Sequence, residues 1–90
     1  MIELVEEFVG NLPVRLAAIE QAVQADNLAE LTRHAHQLKG AGGGHGFDVI
    51  SLAAAELESA AKAARTAEEV RTQVDQLVVL CHRATATPSP

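Results

Sequence analysis

The chain has 90 residues, enough for one compact domain and too few for two; that length excludes a large substrate-enclosing enzyme. Hydrophobic residues make up 48% of it and aromatic ones 2%, so the core must be packed from small aliphatic side chains, which suits helices and argues against a β-sandwich. Seven Lys and Arg stand against twelve Asp and Glu, a net charge of −5, and without a basic stripe no nucleic acid is expected as a partner.

The N-terminal run Met1-Ile2-Glu3-Leu4-Val5-Glu6-Glu7 carries acids where an export signal would carry a basic segment followed by an apolar one. Nowhere do about 18 apolar residues follow one another. We therefore expect a soluble, cytoplasmic chain, neither exported nor membrane-spanning. A short first helix is predicted from about Ile2 to Val9, with Ile2, Val5, Phe8 and Val9 on one side. Gly10-Asn11 breaks it, and Asn11 before Pro13 reads as the cap of a second helix. In that helix Leu12, Leu16, Ile19 and Val23 recur at helical spacing. Asp26 or Asn27 caps the next one, whose seam is Leu28, Leu31, Ala35 and Leu38.

Five of the seven residues from Gly40 to Gly46 are Gly, each costing about 1 kcal/mol relative to Ala inside a helix. They form either a loose loop or a helix end stripped of side chains. Beyond them Phe47, Ile50, Ala54, Leu57, Ala61 and Ala64 make the cleanest seam in the chain. Thr66 and Glu69 fit a capping box for a last helix, with Val70, Val74, Leu77, Cys81 and Ala84 as its apolar stripe. Short connections between narrow-striped helices give an all-α, antiparallel four-helix bundle with a short extra N-terminal helix. The bundle domain is expected over residues 1–85 and a flexible tail or linker over 86–90. The seams demand no further apolar contact, so a monomer is expected.

If the third helix continues into the glycines, His36 has Arg33 one turn before it and Gly40 one turn after. Gly43 falls almost in line two turns on, and Thr32 and Lys39 flank the same patch. His36 lies roughly 120° round from the Leu31, Ala35, Leu38 seam and should face solvent. No acid stands between Glu30 and Asp48, while Arg33 and Lys39 both do. A neutral imidazole is a nucleophile, and an ammonium beside it would stabilise an attached phosphoryl group. Bare backbone lets another protein come close.

The run Ala35-His36-Gln37-Leu38-Lys39-Gly40, with Gly43 and Gly46 after it, resembles the signature of histidine-containing phosphotransfer (HPt) domains. Leu57-Glu58 and Lys62 resemble that family's following helix, so the likeness runs from about Leu28 to Lys62. Ala41 and Gly42 depart from it where Ser is common, and His45 where an aliphatic residue is. The resemblance implies that His36 is the phosphoacceptor, that Lys39 stabilises the phosphate, and that Gly46 belongs to the structural motif. The patch that helix geometry places around His36 gives an expected docking surface of Thr32, Arg33, Gly40 and Gly43. The implied partners are response-regulator receiver domains, which would bring the acidic pocket and Mg²⁺, and a histidine kinase, hybrid or not. The chain itself would be a phosphorelay intermediary without a kinase site, and no cofactor of its own is expected.

The remaining candidates are weaker. His34 points about 200° away from His36 and cannot share a metal with it. His45 reads as helix-end filler, His82 as a flank of the last seam and Cys81 as a small core residue. Without paired His and Cys spacing no metal site is expected. The glycine run fits neither nucleotide-binding pattern and follows no strand. The rival reading is a non-catalytic helical adaptor whose histidine only decorates a partner-binding face.

Overall fold

The computed structural model describes residues 2–86, with side chains described over 7–84. Four α-helices and one short 3-10 turn follow one another: α1 (Ile2–Gln24), α2 (Leu28–Gly44), α3 (Asp48–Ala63), the 3-10 turn Ala67–Val70, and α4 (Arg71–Ala86). Each helix packs on its neighbours in chain order and α1 also packs on α4, which closes the ring of an all-α bundle. Connections of three residues before α2 and α3, and of seven including the 3-10 turn before α4, make successive helices run antiparallel. The expected tail begins inside α4 at Ala86, and residues 87–90 lie outside the described ones.

The separate N-terminal helix is not found: α1 runs through Gly10-Asn11 without a break, with Pro13 inside it. Local punctuation lost to the apolar stripe. Phe8, Leu12, Leu16, Ile19 and Val23 form one buried row across the expected break, and interrupting the helix would pull that row apart. Gly10, Asn11 and Pro13 all lie on the exposed side, where a weak propensity and one missing backbone donor are tolerated. Ile2 and Val5 lie outside the described side chains.

The core joins that row to Leu31, Ala35 and Leu38 of α2, to Ile50, Ala54, Leu57 and Ala61 of α3, and to Val74, Leu77 and Cys81 of α4. These are the seams that the sequence spacing marks. Cys81 is fully buried, and burial pushes its thiol up to about 11.

The loops carry their own hydrogen bonds. Asn27 caps α2, its side-chain oxygen accepting from the Glu30 N–H at 3.1 Å. Asp26 adopts φ +53°, a region short polar side chains tolerate. Its Oδ1 accepts from the Ala67 N–H at 2.7 Å, tying this turn to the start of the 3-10 segment. The capping box expected at Thr66 is not formed. Thr66 makes no side-chain cap bond; the Glu69 N–H goes to the Thr66 backbone carbonyl at 3.2 Å, and the Glu69 side chain accepts from the Arg65 N–H at 3.3 Å.

The glycine run is helical. α2 continues through Gly40–Gly44, so the loose-loop alternative is not what forms. It ends at Gly44, and the chain turns at Gly46, with φ +82°. There the Phe47 N–H donates to the Gly42 carbonyl at 2.8 Å and the Gly46 N–H to the Gly43 carbonyl at 3.3 Å, a paired termination that satisfies the last carbonyls of the helix. Gly42 is buried against α3, where an added Cβ would lie 3.3 Å from the Ser51 backbone nitrogen. At Gly40 an added Cβ would meet nothing within 4 Å.

Two substitutions separate these roles. Gly42→Leu should destabilise the bundle by about 1–3 kcal/mol, since it drives atoms into the α3 backbone. Gly40→Ala should raise stability by up to about 1 kcal/mol through helix propensity alone. Chemical denaturation of the two variants checks this; equal effects at both positions would contradict the close α2–α3 approach.

Candidate functional site

His36 stands on α2 two turns before the glycine-rich end, with its side chain 65% exposed. Its Nδ1 lies 2.9 Å from Oε2 of Glu58 on α3. The other oxygen of that carboxylate, Oε1, takes the Lys39 ammonium at 2.9 Å, and Lys62 reaches Oε2 at 3.4 Å from one turn further along α3. One carboxylate thus holds an imidazole and two ammonium groups at the seam between α2 and α3.

Glu58 is 7% exposed, the one buried charged residue among those described. A carboxylate withdrawn from water is stable only when its oxygens are well partnered. The Lys39 hydrogen bond does most to hold its carboxyl down to about 2, against the opposing effect of burial, with His36 and Lys62 helping. At neutral pH Glu58 is therefore ionised and can only accept. It follows that His36 Nδ1 carries the proton and donates it to Glu58. In the neutral ring the lone pair is then on Nε2, the far nitrogen. The arrangement fixes both the tautomer and the ring's orientation, as the carboxylate of a Ser-His-Asp triad does for its imidazole.

The backbone behind this site is fixed from α3. Ser51 Oγ donates to the Lys39 carbonyl at 2.8 Å, and it also sits where a Cβ on Gly43 would come to 3.4 Å. Gly43 is exposed, and a Cβ there would be in ordinary contact with that hydroxyl. Gly40 lies open one turn after His36.

The structure brings His36 and Lys39 together through Glu58, and it places Thr32, Gly40 and Gly43 on the same side of α2. Arg33 is different. Its guanidinium turns back to Glu30, with Nε at 3.2 Å and Nη2 at 2.5 Å. Glu30, its carboxyl held below the ordinary value chiefly by Arg33, cancels the positive charge that counting toward His36 would assign. His34 lies 3.4 Å from the same Glu30. His45 caps the end of α2, its Nδ1 2.8 Å from the Ala41 carbonyl and its ring stacked on Phe8 at 5.1 Å, away from the Glu58 cluster. Among the described residues no three His, Cys, Asp or Glu side chains converge as a metal site would require.

Glu58 is the functional residue that spacing left without a role, and Gly42 the structural one. The signal for Glu58 is an acid on the apolar face of α3, one turn after Ala54 and beside Leu57, with Lys62 one turn on. A charge on a buried stripe requires a partner, and the partner is on another helix.

The cluster has a pH signature. A carboxyl lowered from 4.5 contributes stability that is complete above that value and is lost as pH falls through about 2. Glu58→Gln should flatten the acid limb of the stability curve in this window. In the same variant at neutral pH, ¹⁵N spectra of His36 should show the Nδ1–H tautomer losing its dominance. An unchanged tautomer ratio would contradict the Nδ1 assignment.

Among the described residues no helix is long and apolar enough to cross a membrane. No curated protein and no solved structure matches the chain. The family model for the Hpt domain does match it, over residues 3–86. That span takes in all four helices and both sides of the Glu58 cluster, so the chain belongs to the Hpt domain family, phosphotransfer modules of phosphorelay signalling.

Proposed function

We propose that His36 accepts a phosphoryl group on Nε2 from the aspartyl phosphate of a receiver domain and passes it to another receiver. The observation that carries this reading is the 2.9 Å bond from Nδ1 to Glu58, because it leaves the exposed nitrogen as the nucleophile. In the forward step the Nε2 lone pair forms the P–N bond while the acyl phosphate P–O bond breaks. The aspartate of the receiver leaves as carboxylate. Nδ1 keeps its proton and donates it in the hydrogen bond to Glu58 throughout, so the imidazolium character that develops on the ring is stabilised where it arises. Return transfer is the same path reversed, which suits a relay more than a store.

Lys39 supplies positive charge beside the ring. When it turns from Glu58 toward an attached phosphoryl group, Lys62 remains at the carboxylate, and the buried charge is not left alone. Gly40, and Gly43 beyond it, give the incoming domain an approach along α2 without side chains to displace. Thr32 borders the same surface, and Arg33 contributes to its rim as half of an ion pair with Glu30. The catalysis of each transfer comes mostly from the receiver; this chain contributes a preoriented nucleophile and one mobile cation.

Incubation with a phosphorylated receiver domain should give an acid-labile, base-stable phosphoryl adduct. His36→Gln should fold as the parent does and take up none, while Lys39→Ala should slow transfer about 10- to 100-fold with helix content unchanged. Gly43→Leu should weaken receiver docking. Equal labelling of His36→Gln would place the chemistry on another residue, and absence of labelling from every receiver tried would favour the adaptor reading.

A further inference from the structure

The face of the bundle away from His36 is not a plain solvated surface. Val49 and Leu52 on α3 and Val79 on α4 are 61%, 66% and 49% exposed, and all three line one groove of about 590 Å³ between these helices. Ala53 and Leu80 make its floor and Glu56 and Asp75 its charged lining, with no basic residue among the lining side chains. Arg71 lies 3.8 Å from Asp75 and is shared with Glu20 at 3.3 Å. The groove continues past Val49 and Leu80 into a smaller depression of about 320 Å³, lined by Asp48 and Arg83 at its far end, so the purely acidic lining is confined to the larger part.

The groove's position on α3 is informative. At 100° per residue, Val49, Leu52, Ala53 and Glu56 centre roughly 150° round from Ser51, Glu58 and Lys62. Whatever fills the groove leaves the imidazole uncovered. From Val49 to Glu56 is seven residues, about two helical turns or 10 Å, the span of a short row of helix anchors. Apolar floor and acidic wall together select the occupant. A second copy would bring its own Glu56 and Asp75 to the same rim, on a chain of net charge −5, which like-charge repulsion opposes. An anionic lipid surface is opposed for the same reason.

We propose that the α3–α4 groove docks an amphipathic helix of a partner protein, with aliphatic side chains at i, i+3 or i+4 and i+7 and Lys or Arg on their flanks. The groove holds its partner on one side while the histidine face stays open on the other. This binding does not depend on His36 being phosphorylated, and it is read without phosphotransfer.

The test uses the ¹⁵N-labelled full chain and two synthetic helices of about 14 residues, alike in leucine spacing, one flanked by lysines and the other by glutamates. The lysine peptide should shift the amide signals of Val49, Leu52 and Val79 and leave those of His36 and Lys39 in place. It should bind about tenfold more tightly than the glutamate peptide at low salt, and the difference should shrink as salt rises. Leu52→Asp, at an exposed position, should abolish the shifts while far-ultraviolet circular dichroism remains that of the parent. Reversing both Glu56 and Asp75 to Lys should exchange the preference between peptides. Equal binding of the two peptides, shifts on the His36 face, or no groove shifts at millimolar peptide would overturn the proposal. Groove shifts that grow with protein concentration in the absence of peptide would also overturn it, and would assign the groove to a second copy.

Discussion

A single carboxylate organises the working end of this molecule. Glu58 is held nearly out of water between α2 and α3, a position that costs free energy unless its oxygens are matched by donors. The donors it gathers are the His36 imidazole N–H and the Lys39 ammonium, the two side chains of the proposed transfer. The requirement to satisfy the buried charge and the requirement to orient the histidine are met by the same bonds. Lys62, on the same helix as Glu58, makes the arrangement tolerant of motion in Lys39.

That arrangement depends on how closely and in what register α2 and α3 meet. Gly42 lets the α3 backbone approach where any side chain would hold it off, and Ser51 then clasps the Lys39 carbonyl. Gly46, at positive φ, turns the chain sharply enough for α3 to begin four residues after α2 ends. The glycines that read as a weakness in a helix therefore serve three ends. Gly42 sets the packing distance, Gly46 makes the turn, and Gly40 leaves the surface next to His36 bare. The surface opposite is governed by different residues, and its acidic groove shares no side chain with the histidine cluster.

Much of this was legible in the sequence. The seams of α2, α3 and α4 follow from apolar spacing because burial and helical period act together over many residues. His36 and Lys39 could be placed on one exposed patch because both lie on the same helix, where geometry is fixed by residue number. Glu58 could not be assigned its partners that way. Its contact with His36 spans 22 positions and two helices, and spacing within one helix says nothing about register between two. The charge at Arg33 is set locally: Glu30, the acid that bounds the positive segment, lies one turn before it and pairs with it. The break expected at Gly10-Asn11 failed because propensity was weighed residue by residue, while the Phe8 to Val23 row is buried as a unit. The α3–α4 groove arises from helix packing and leaves only scattered valines and a leucine in the sequence.

The central claim is that Glu58 commits the Nδ1 of His36 to a proton and so reserves Nε2 for phosphorus. The most direct measurement is the site of attachment on the phosphorylated ring, read by ³¹P and ¹⁵N magnetic resonance after transfer from a phosphorylated receiver. Phosphorus coupled to Nε2, with Nδ1 still protonated, is the result expected. Phosphorus on Nδ1 would contradict the account, because that nitrogen could not then donate to the buried carboxylate.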